Sequence, residues 1–442
     1  MSRRRCLLVE GLPYHWEVLP PWAGLLRRLG YDVEVVVAGG ASGHEETRAL
    51  LQSRCRTRRM ADLGDLRLDD FDFVLVNSLI HQGFHFEPPL QPRPDLKWVR
   101  DLGLPSISVV HEPIYWVEKR IVQSFREASG RGDRLLSLLA DGHLQYDGGA
   151  WAEERWSLSG NRLALSDGGR TRILESADGG RTYRGLDEET TLSRRDLPNE
   201  DLARHCSDGR HAVITLSKAG AAHLRPVHAD ADWILPFEIH DRLPQRATGD
   251  IAFAGTIDYD RKQIPALLQG GAALGDGRFI RIIGGSRSAD FDGDRFVRAF
   301  KAQIAERGLE SKFRFTGYLP YREFIERIRS CRFLLPLVDD RVDGGYYLIK
   351  LSASIAASFG MGVPMIVNRS IADRFDLHYM ISYPGDDLAA GLQAEQRLGD
   401  TEYAAMLEAL DRHAEALDRR NIDVLAGLIE RITARHLEGV AT

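Results

Sequence analysis

Between Ile251 and Val367 the chain alternates buried-strand segments with helical ones, and the loops after the strands are rich in Gly, Lys and Arg. The segments are DIAFAGTIDYDRK (Asp250 to Lys262), FIRIIGGSR (Phe279 to Arg287), KFRFTGYLPYREFIERIRSCRFLLPL (Lys312 to Leu337) and GGYYLIKLSASIAASFGMGVPMIV (Gly344 to Val367). Such alternation predicts a parallel sheet, whose post-strand loops gather at the carboxyl edge where α/β proteins bind ligands. Glycine lets backbone N–H groups approach phosphate, and a helix N-terminus favours its charge. This half of the chain reads as a nucleotide-phosphate site.

The first half opens in the same way. CLLVE (Cys6 to Glu10) is a short buried strand, followed by a Pro-rich loop, the amphipathic segment AGLLRRLG and the strand YDVEVVVAG. FDFVLVNSL (Phe71 to Leu79) and PSISVVHEP (Pro105 to Pro113) are further buried strands with polar residues at their carboxyl ends. HAVITLSKAGAAHL (His211 to Leu224) is a strand entering a helix at Ser217. A polar linker, HDRLPQRATGD, places a domain boundary near residue 240. The expected units are residues 1–240, residues 241–400 and a helical tail over 401–442.

Residues 151–186 differ from their surroundings. They alternate apolar and polar side chains, and their turns are Ser-Gly-Asn and two Asp-Gly-Gly triplets, which supply positive φ angles. The pattern predicts an antiparallel meander of about four strands inserted at about 143–190. Ser176, Asp178, Gly180, Thr182 and Tyr183 have the spacing of one Asp-box, a side-chain-bonded hairpin turn. A propeller would need one copy per blade. The insertion is expected to cap the cleft, bind acceptor glycan or make a subunit contact.

At 442 residues there is room for two domains and an insertion. A net charge of −6 argues against a general nucleic-acid binder. Cys6, Cys55, Cys206 and Cys331 fit no CxxC pattern, which suits a reducing compartment and gives no zinc site. A cytoplasmic location is expected, since no apolar run approaches a membrane span of about 20 residues and the N-terminus lacks a signal peptide's apolar region. The Arg3–Arg5 cluster offers a contact to acidic lipid, against the simpler reading of a solvated start.

The order of the second-half segments resembles the donor half of the GT-B glycosyltransferases, in particular the large group-1 nucleotide-sugar family of glycogen synthase-like and mannosyltransferase-like enzymes. That resemblance covers about the last two hundred residues well and the first hundred loosely. It implies α/β architecture with two Rossmann-like domains, the antiparallel insertion lying in the first, and a C-terminal tail crossing back onto the first domain. Gly255 and Lys262 match the family's Gly and Lys; Thr256 stands where the family has Arg, with Arg261 as the substitute. Gly284 and Gly285 match its next turn, and Gly360, Gly362, Pro364 and Ile366 its A-x-G-x-P-x-I segment. The family's paired glutamates are missing. The second would fall at Ala357 and the first near Ile349 or Lys350. Either Lys350, Ser352, Tyr346 and Tyr347 replace that chemistry, or transfer activity is lost.

The candidate donor site is therefore Gly255, Thr256, Arg261, Lys262, Gly284, Gly285, the Gly344-Gly345 helix start, Tyr346, Tyr347, Lys350 and Ser352. Adjacent cations after a strand can neutralise a diphosphate. A lysine in an apolar helix needs an anion or a cavity. His111, with Glu112, is the candidate for proton transfer or sugar contact; the alternative is a histidine that orders the loop before Pro113. Glu10, His15 and Trp16 lie in the first loop, which faces the acceptor in the resembled fold; the alternative is a loop packed by Trp16. Asp258, Asp260, Asp339, Asp340 and Asp343 lack a ligand spacing, so no metal is expected, and no cofactor beyond a nucleotide-sugar substrate. The expected activity is metal-independent, retaining transfer of a hexose-like sugar to a saccharide or lipid-linked acceptor in polysaccharide or glycoconjugate biosynthesis. A catalytically inactive binding or partner subunit and a glycan-binding protein centred on the Asp-box are the alternatives. The sequence leaves the oligomeric state open.

Overall fold

In the computed structural model the described residues are 4–12, 15–38, 45–81, 93–117, 121–129, 132–146, 151–166, 171–185, 191–195, 202–241, 249–259, 261–285, 290–317, 319–338 and 352–440. The chain begins with β1 (Arg5–Glu10), β2 (Asp32–Val37), β3 (Arg56–Arg59), β4 (Phe73–Val76) and β5 (Ser106–Val110). An excursion of eight strands follows: β6 (Ile121–Ser129), β7 (Gly132–Leu139), β8 (His143–Tyr146), β9 (Trp151–Ser159), β10 (Arg162–Ser166), β11 (Thr171–Glu175), β12 (Thr182–Gly185) and β13 (Thr191–Arg195). The chain then returns as β14 (His211–Thr215) and β15 (Asp232–Trp233).

The first sheet has the order β15-β14-β5-β4-β1-β2-β3, and its pairs are parallel. Its central strands are buried on both faces, which is why Cys6 to Val9 and Phe73 to Val76 read as unbroken apolar runs. One face carries Leu8, Val35, Leu75 and Ile107 against the helix Leu19–Arg28, whose Trp22 and Leu26 are fully buried.

The second sheet is built from β16 (Ile251–Thr256), β17 (Ile280–Gly285), β18 (Phe313–Phe315), β19 (Phe333–Leu334), β20 (Ile366–Asn368) and β21 (Ile381–Tyr383). The order β18-β17-β16-β19 is joined to the β20-β21 pair by a parallel bridge between Leu334 and Met365. Two apolar clusters cover its faces, one around Phe253, Phe300 and Phe333, the other around Leu334, Ile355 and Met365. The GxGxP run before β20 is explained locally. A side chain at Gly360 would stand 2.5 Å from the Glu238 carbonyl oxygen, and Gly362 ends the helix Ala353–Met361 at φ 62°. The Gly360 carbonyl in turn accepts the His240 N–H at 2.8 Å.

The insertion is antiparallel, as its alternation predicts, but larger than a four-strand meander over 151–186. Strands β6 to β13 close into a barrel in the order β10-β11-β12-β13-β6-β7-β8-β9. Phe125, Leu136, Leu144, Leu163, Leu174, Tyr183 and Leu192 fill it. The first three strands escape the alternation rule because the register shifts near Ile121/Gln123 and near His143/Leu144, and each irregularity flips the side chains that follow. The Asp-box is a turn of this barrel. Asp178 Oδ1 accepts the N–H groups of Arg181 at 3.0 Å and Thr182 at 2.8 Å, while Ser176 Oγ accepts that of Gly180 at 2.8 Å. Those bonds hold the Asp178 carboxyl down at about 2.

The helix Asp400–Val440 ends the chain. Its Leu410 and Ala414 join the second sheet's core, and its Leu425, Leu428, Ile429 and Ile432 join the first sheet's. Between them, Asn421 makes both amide bonds to the backbone of Leu235: its Oδ1 accepts the N–H at 3.1 Å, and its Nδ2 donates to the carbonyl at 2.6 Å.

Candidate functional site

The carboxyl ends of β1, β4 and β5 surround a pocket lined by Leu12, His15, Ser78, Leu79, Ile80, His81, His111, Glu112, Tyr115 and Trp116. Behind the lining residues Leu12 and Ser78, Glu10 is fully buried at the end of β1. The carboxylate accepts the Leu12 N–H at 2.7 Å, the Ser78 hydroxyl at 2.7 Å and the Asn77 side-chain amide. Burial nevertheless pushes its pKa up to about 7, against the pull of His15 and these hydrogen bonds. Asn77 is fixed from two sides, because its Oδ1 also accepts the Trp22 indole N–H at 2.9 Å.

His111 Nε2 donates to the backbone carbonyl of Asn77 at 2.7 Å. A carbonyl only accepts, so the proton of a neutral His111 is on Nε2 and its basic atom is Nδ1. The ring stacks on His15, with centroids 4.1 Å apart. His15 has a left-handed backbone, φ 67°, uncommon for a residue with a side chain; its carbonyl accepts the Asn77 amide at 3.3 Å. The structure thus brings His15, His111 and Glu112 to one pocket. Glu10 lies beneath it and Trp16 beside it. Trp16 is buried in the core and donates its indole N–H to the Leu12 carbonyl at 3.3 Å, so it shapes the loop instead of lining the pocket. Sequence reading does not single out Asn77, Ser78, His81, Tyr115 or Trp116. The only signal was the polar pair Asn77-Ser78 ending an apolar strand.

At the second sheet, Gly255 and Thr256 end β16 and pair with Gly284 and Gly285 at the end of β17. Gly255 has φ 114° and Gly284 φ 85°, conformations at the carboxyl edge that favour glycine. Lys262 follows in the β16 loop. Its Nζ donates to the Pro336 carbonyl at 2.7 Å, and the Gln263 N–H donates to the Leu337 carbonyl at 2.9 Å. Leu337 has φ 53°, a strained turn that aims both carbonyls at this loop. Burial lowers the Lys262 ammonium to about 8, with Asp258 pulling the other way. The neighbouring Arg261 is exposed, and its backbone N–H is held by Asp258 Oδ1 at 3.2 Å. Gln263 ties the loop across the sheet, donating to the Gly385 carbonyl at 3.0 Å and accepting the Tyr383 hydroxyl at 2.7 Å.

Ser352 is buried where the helix Ala353–Met361 begins, and its side chain makes no cap bond. Gly344, Gly345, Tyr346, Tyr347 and Lys350 lie outside the described residues, as do Asp260, Asp339, Asp340 and Asp343. Among the described residues no group of three or more His, Cys, Asp or Glu side chains could hold a metal ion. No described helix is long and apolar enough to cross a membrane.

Two parallel α/β sheets, each with a polar carboxyl edge and tied together by a crossing C-terminal helix, define the GT-B glycosyltransferase fold, and this chain has it. Among solved structures it is similar to a glycosyltransferase from Rickettsia africae, with TM-score 0.53 and 11% identity over 97% of this chain and 99% of that one. It is similar to Anabaena HepE, solved with UDP and glucose, at TM-score 0.51 and 11% identity over 95% of this chain and 99% of that one. Sucrose-phosphate synthase from Thermosynechococcus elongatus gives TM-score 0.50 and 13% identity over 97% and 100% of the two chains. No family model and no curated protein matches the sequence.

Proposed function

We propose that the protein is a glycosyltransferase that moves a sugar from a nucleotide-sugar donor to a hydroxyl of a saccharide or lipid-linked acceptor, in polysaccharide or glycoconjugate synthesis. The observation that carries this reading is Lys262: a cation sunk into the carboxyl edge of the second sheet, where Gly255 and Gly284 face each other near two strand ends. The donor diphosphate would lie there, on Lys262, Arg261 and the glycine backbone at Gly255 and Gly284. Charge grows on the departing diphosphate, so a cation already in place lowers the barrier without reorganisation. Metal independence and retention of the anomeric configuration rest on the family resemblance. The four free cysteines fit a reducing, cytoplasmic setting.

The acceptor would enter the first-sheet pocket, where His111 Nδ1 and Glu112 meet its hydroxyl. With retention, the leaving diphosphate takes the hydroxyl proton and His111 orients the acceptor; with inversion, Nδ1 takes it. NMR of the product anomer separates the two.

Calorimetric titration with a nucleoside diphosphate, using the bare nucleoside as control, tests the donor site. A charged hydrogen bond to phosphate contributes about 1.5–3 kcal/mol, so Lys262→Ala should weaken diphosphate binding about 10- to 100-fold, and Arg261→Ala with Lys262→Ala further. Equal affinity in wild type and variants would remove the donor site from this edge. Ala357, where the family has a glutamate, favours one other outcome: diphosphate binding without turnover of any nucleotide-sugar, which would make the chain a non-catalytic binding subunit.

A further inference from the structure

The first sheet carries a second polar depression at the edge where β5 and β14 begin, opposite the pocket around His111. Arg100, Arg204, His205, Ser207 and Asp208 line it. His205 is only 2% exposed, and neither ring nitrogen has a hydrogen-bond partner. Its ring stacks on His211, centroids 4.3 Å apart, and His211 Nδ1 is already engaged by the Ser106 hydroxyl at 2.8 Å. Two unmet polar atoms on one buried ring are costly in a folded protein unless something else satisfies them.

The surroundings say what that partner is. Arg100 and Arg204 place two exposed guanidinium groups on the rim. Asp208 is turned to its own loop, where Oδ1 accepts the Arg210 N–H at 2.9 Å and Oδ2 lies 4.0 Å from His211 Nε2. The Ser207 hydroxyl donates to the Arg204 carbonyl at 2.8 Å, which leaves its oxygen as an acceptor. Burial, with His211 and Arg100 nearby, keeps the His205 ring neutral at about 3. A neutral imidazole carries one donor and one acceptor on diverging edges, so beside the anionic oxygens that the arginines take, the acceptor nitrogen calls for a hydroxyl.

We propose that this depression binds a phosphate group in company with a hydroxyl, as in hydrogen phosphate or a phosphorylated sugar, with Arg100 and Arg204 on the anionic oxygens and the unprotonated ring nitrogen of His205 accepting from the hydroxyl. The site is separate from the donor edge and independent of the transfer reaction proposed above.

The test is calorimetric titration of the full chain carrying Lys262→Ala, which removes the donor-edge cation, with inorganic phosphate, a hexose 6-phosphate and sulfate. Phosphate keeps a P–OH at neutral pH and sulfate has none. Phosphate should bind, sulfate at least ten-fold more weakly, and the tighter of the two phosphate compounds names the source of the group. Adding Arg100→Ala and Arg204→Ala should weaken phosphate binding at least ten-fold. The same two changes in a chain with Lys262 intact should leave nucleoside diphosphate affinity unchanged. The His205 ring ¹⁵N resonances should move when phosphate is added. Failure of phosphate to bind at millimolar concentration, unchanged affinity in the arginine variant, equal binding of sulfate, or unmoved His205 resonances would each overturn the assignment.

Discussion

At the two sheet edges, burial shifts the titration of Glu10 and of Lys262, and each shift gives a pH dependence of definite sign. Glu10 titrates near 7 in the folded protein and near its ordinary 4.5 when unfolded. Between those values the folded state holds a proton that the unfolded state has lost, so stability falls as pH rises from 4.5 through 7. The full effect is about 3 kcal/mol. Glu10→Gln keeps the shape and cannot ionise, so the fall in stability across that range, followed by urea denaturation, should be smaller by this amount. Lys262 acts on binding. Its ammonium, near 8 in the free protein, must be protonated to hold a diphosphate, so nucleoside diphosphate affinity should be full below pH 8 and decline above it. Lys262→Met should lose that decline while binding weakly throughout, which titrations at pH 7 and pH 9 would show. Neither shift is legible in the sequence. Glu10 reads as a loop residue facing an acceptor, because nothing local reveals that Ser78, Asn77 and the Leu12 N–H converge on it from other parts of the chain. Lys262 is legible as a cation after a strand, but its depth depends on the Pro336 carbonyl, far along the chain.

At the scale of elements, the strands of both sheets are the most legible part. An apolar run such as Cys6 to Val9, buried on both faces, carries its own signal. So do the hairpins after residue 151, whose Asp-Gly-Gly turns announce them; Gly179 and Gly180 take φ 70° and 86°. Strands β6 to β8 are hidden because their irregular registers break the period on which strand reading depends. The barrel has its own core, filled by Phe125, Tyr183 and seven leucines, and that core is distinct from those of the two sheets. Replacing residues 121–195 by a short Gly-Ser linker should therefore leave β5 and β14 paired and nucleoside diphosphate affinity unchanged within two-fold. Circular dichroism and calorimetry check both, and loss of diphosphate binding would give the barrel a part in the donor site.

At the scale of the whole molecule, the last helix ties the two sheets together. Arg420 donates to the Trp233 carbonyl at 2.6 Å and to Asp232 at 2.7 Å, and its guanidinium lies 3.8 Å from the Trp233 ring centroid. Asn421 then closes both backbone bonds of Leu235. Asn421→Leu keeps the volume but leaves a buried N–H and a buried carbonyl unmet, at a cost of about 1–3 kcal/mol each. The urea midpoint should fall accordingly, and Asn421→Asp, which restores only the acceptor, should fall between the two. The same helix has a consequence for synthesis. The groove that Leu425, Leu428, Ile429 and Ile432 fill belongs to a sheet completed before residue 240. A ribosome adding about 5–20 residues per second needs about 10 to 40 s more to make the residues that cover it. For that interval the nascent first domain carries an open apolar furrow, so the chain's yield in a cell is set by what shields that furrow until its own C-terminus arrives.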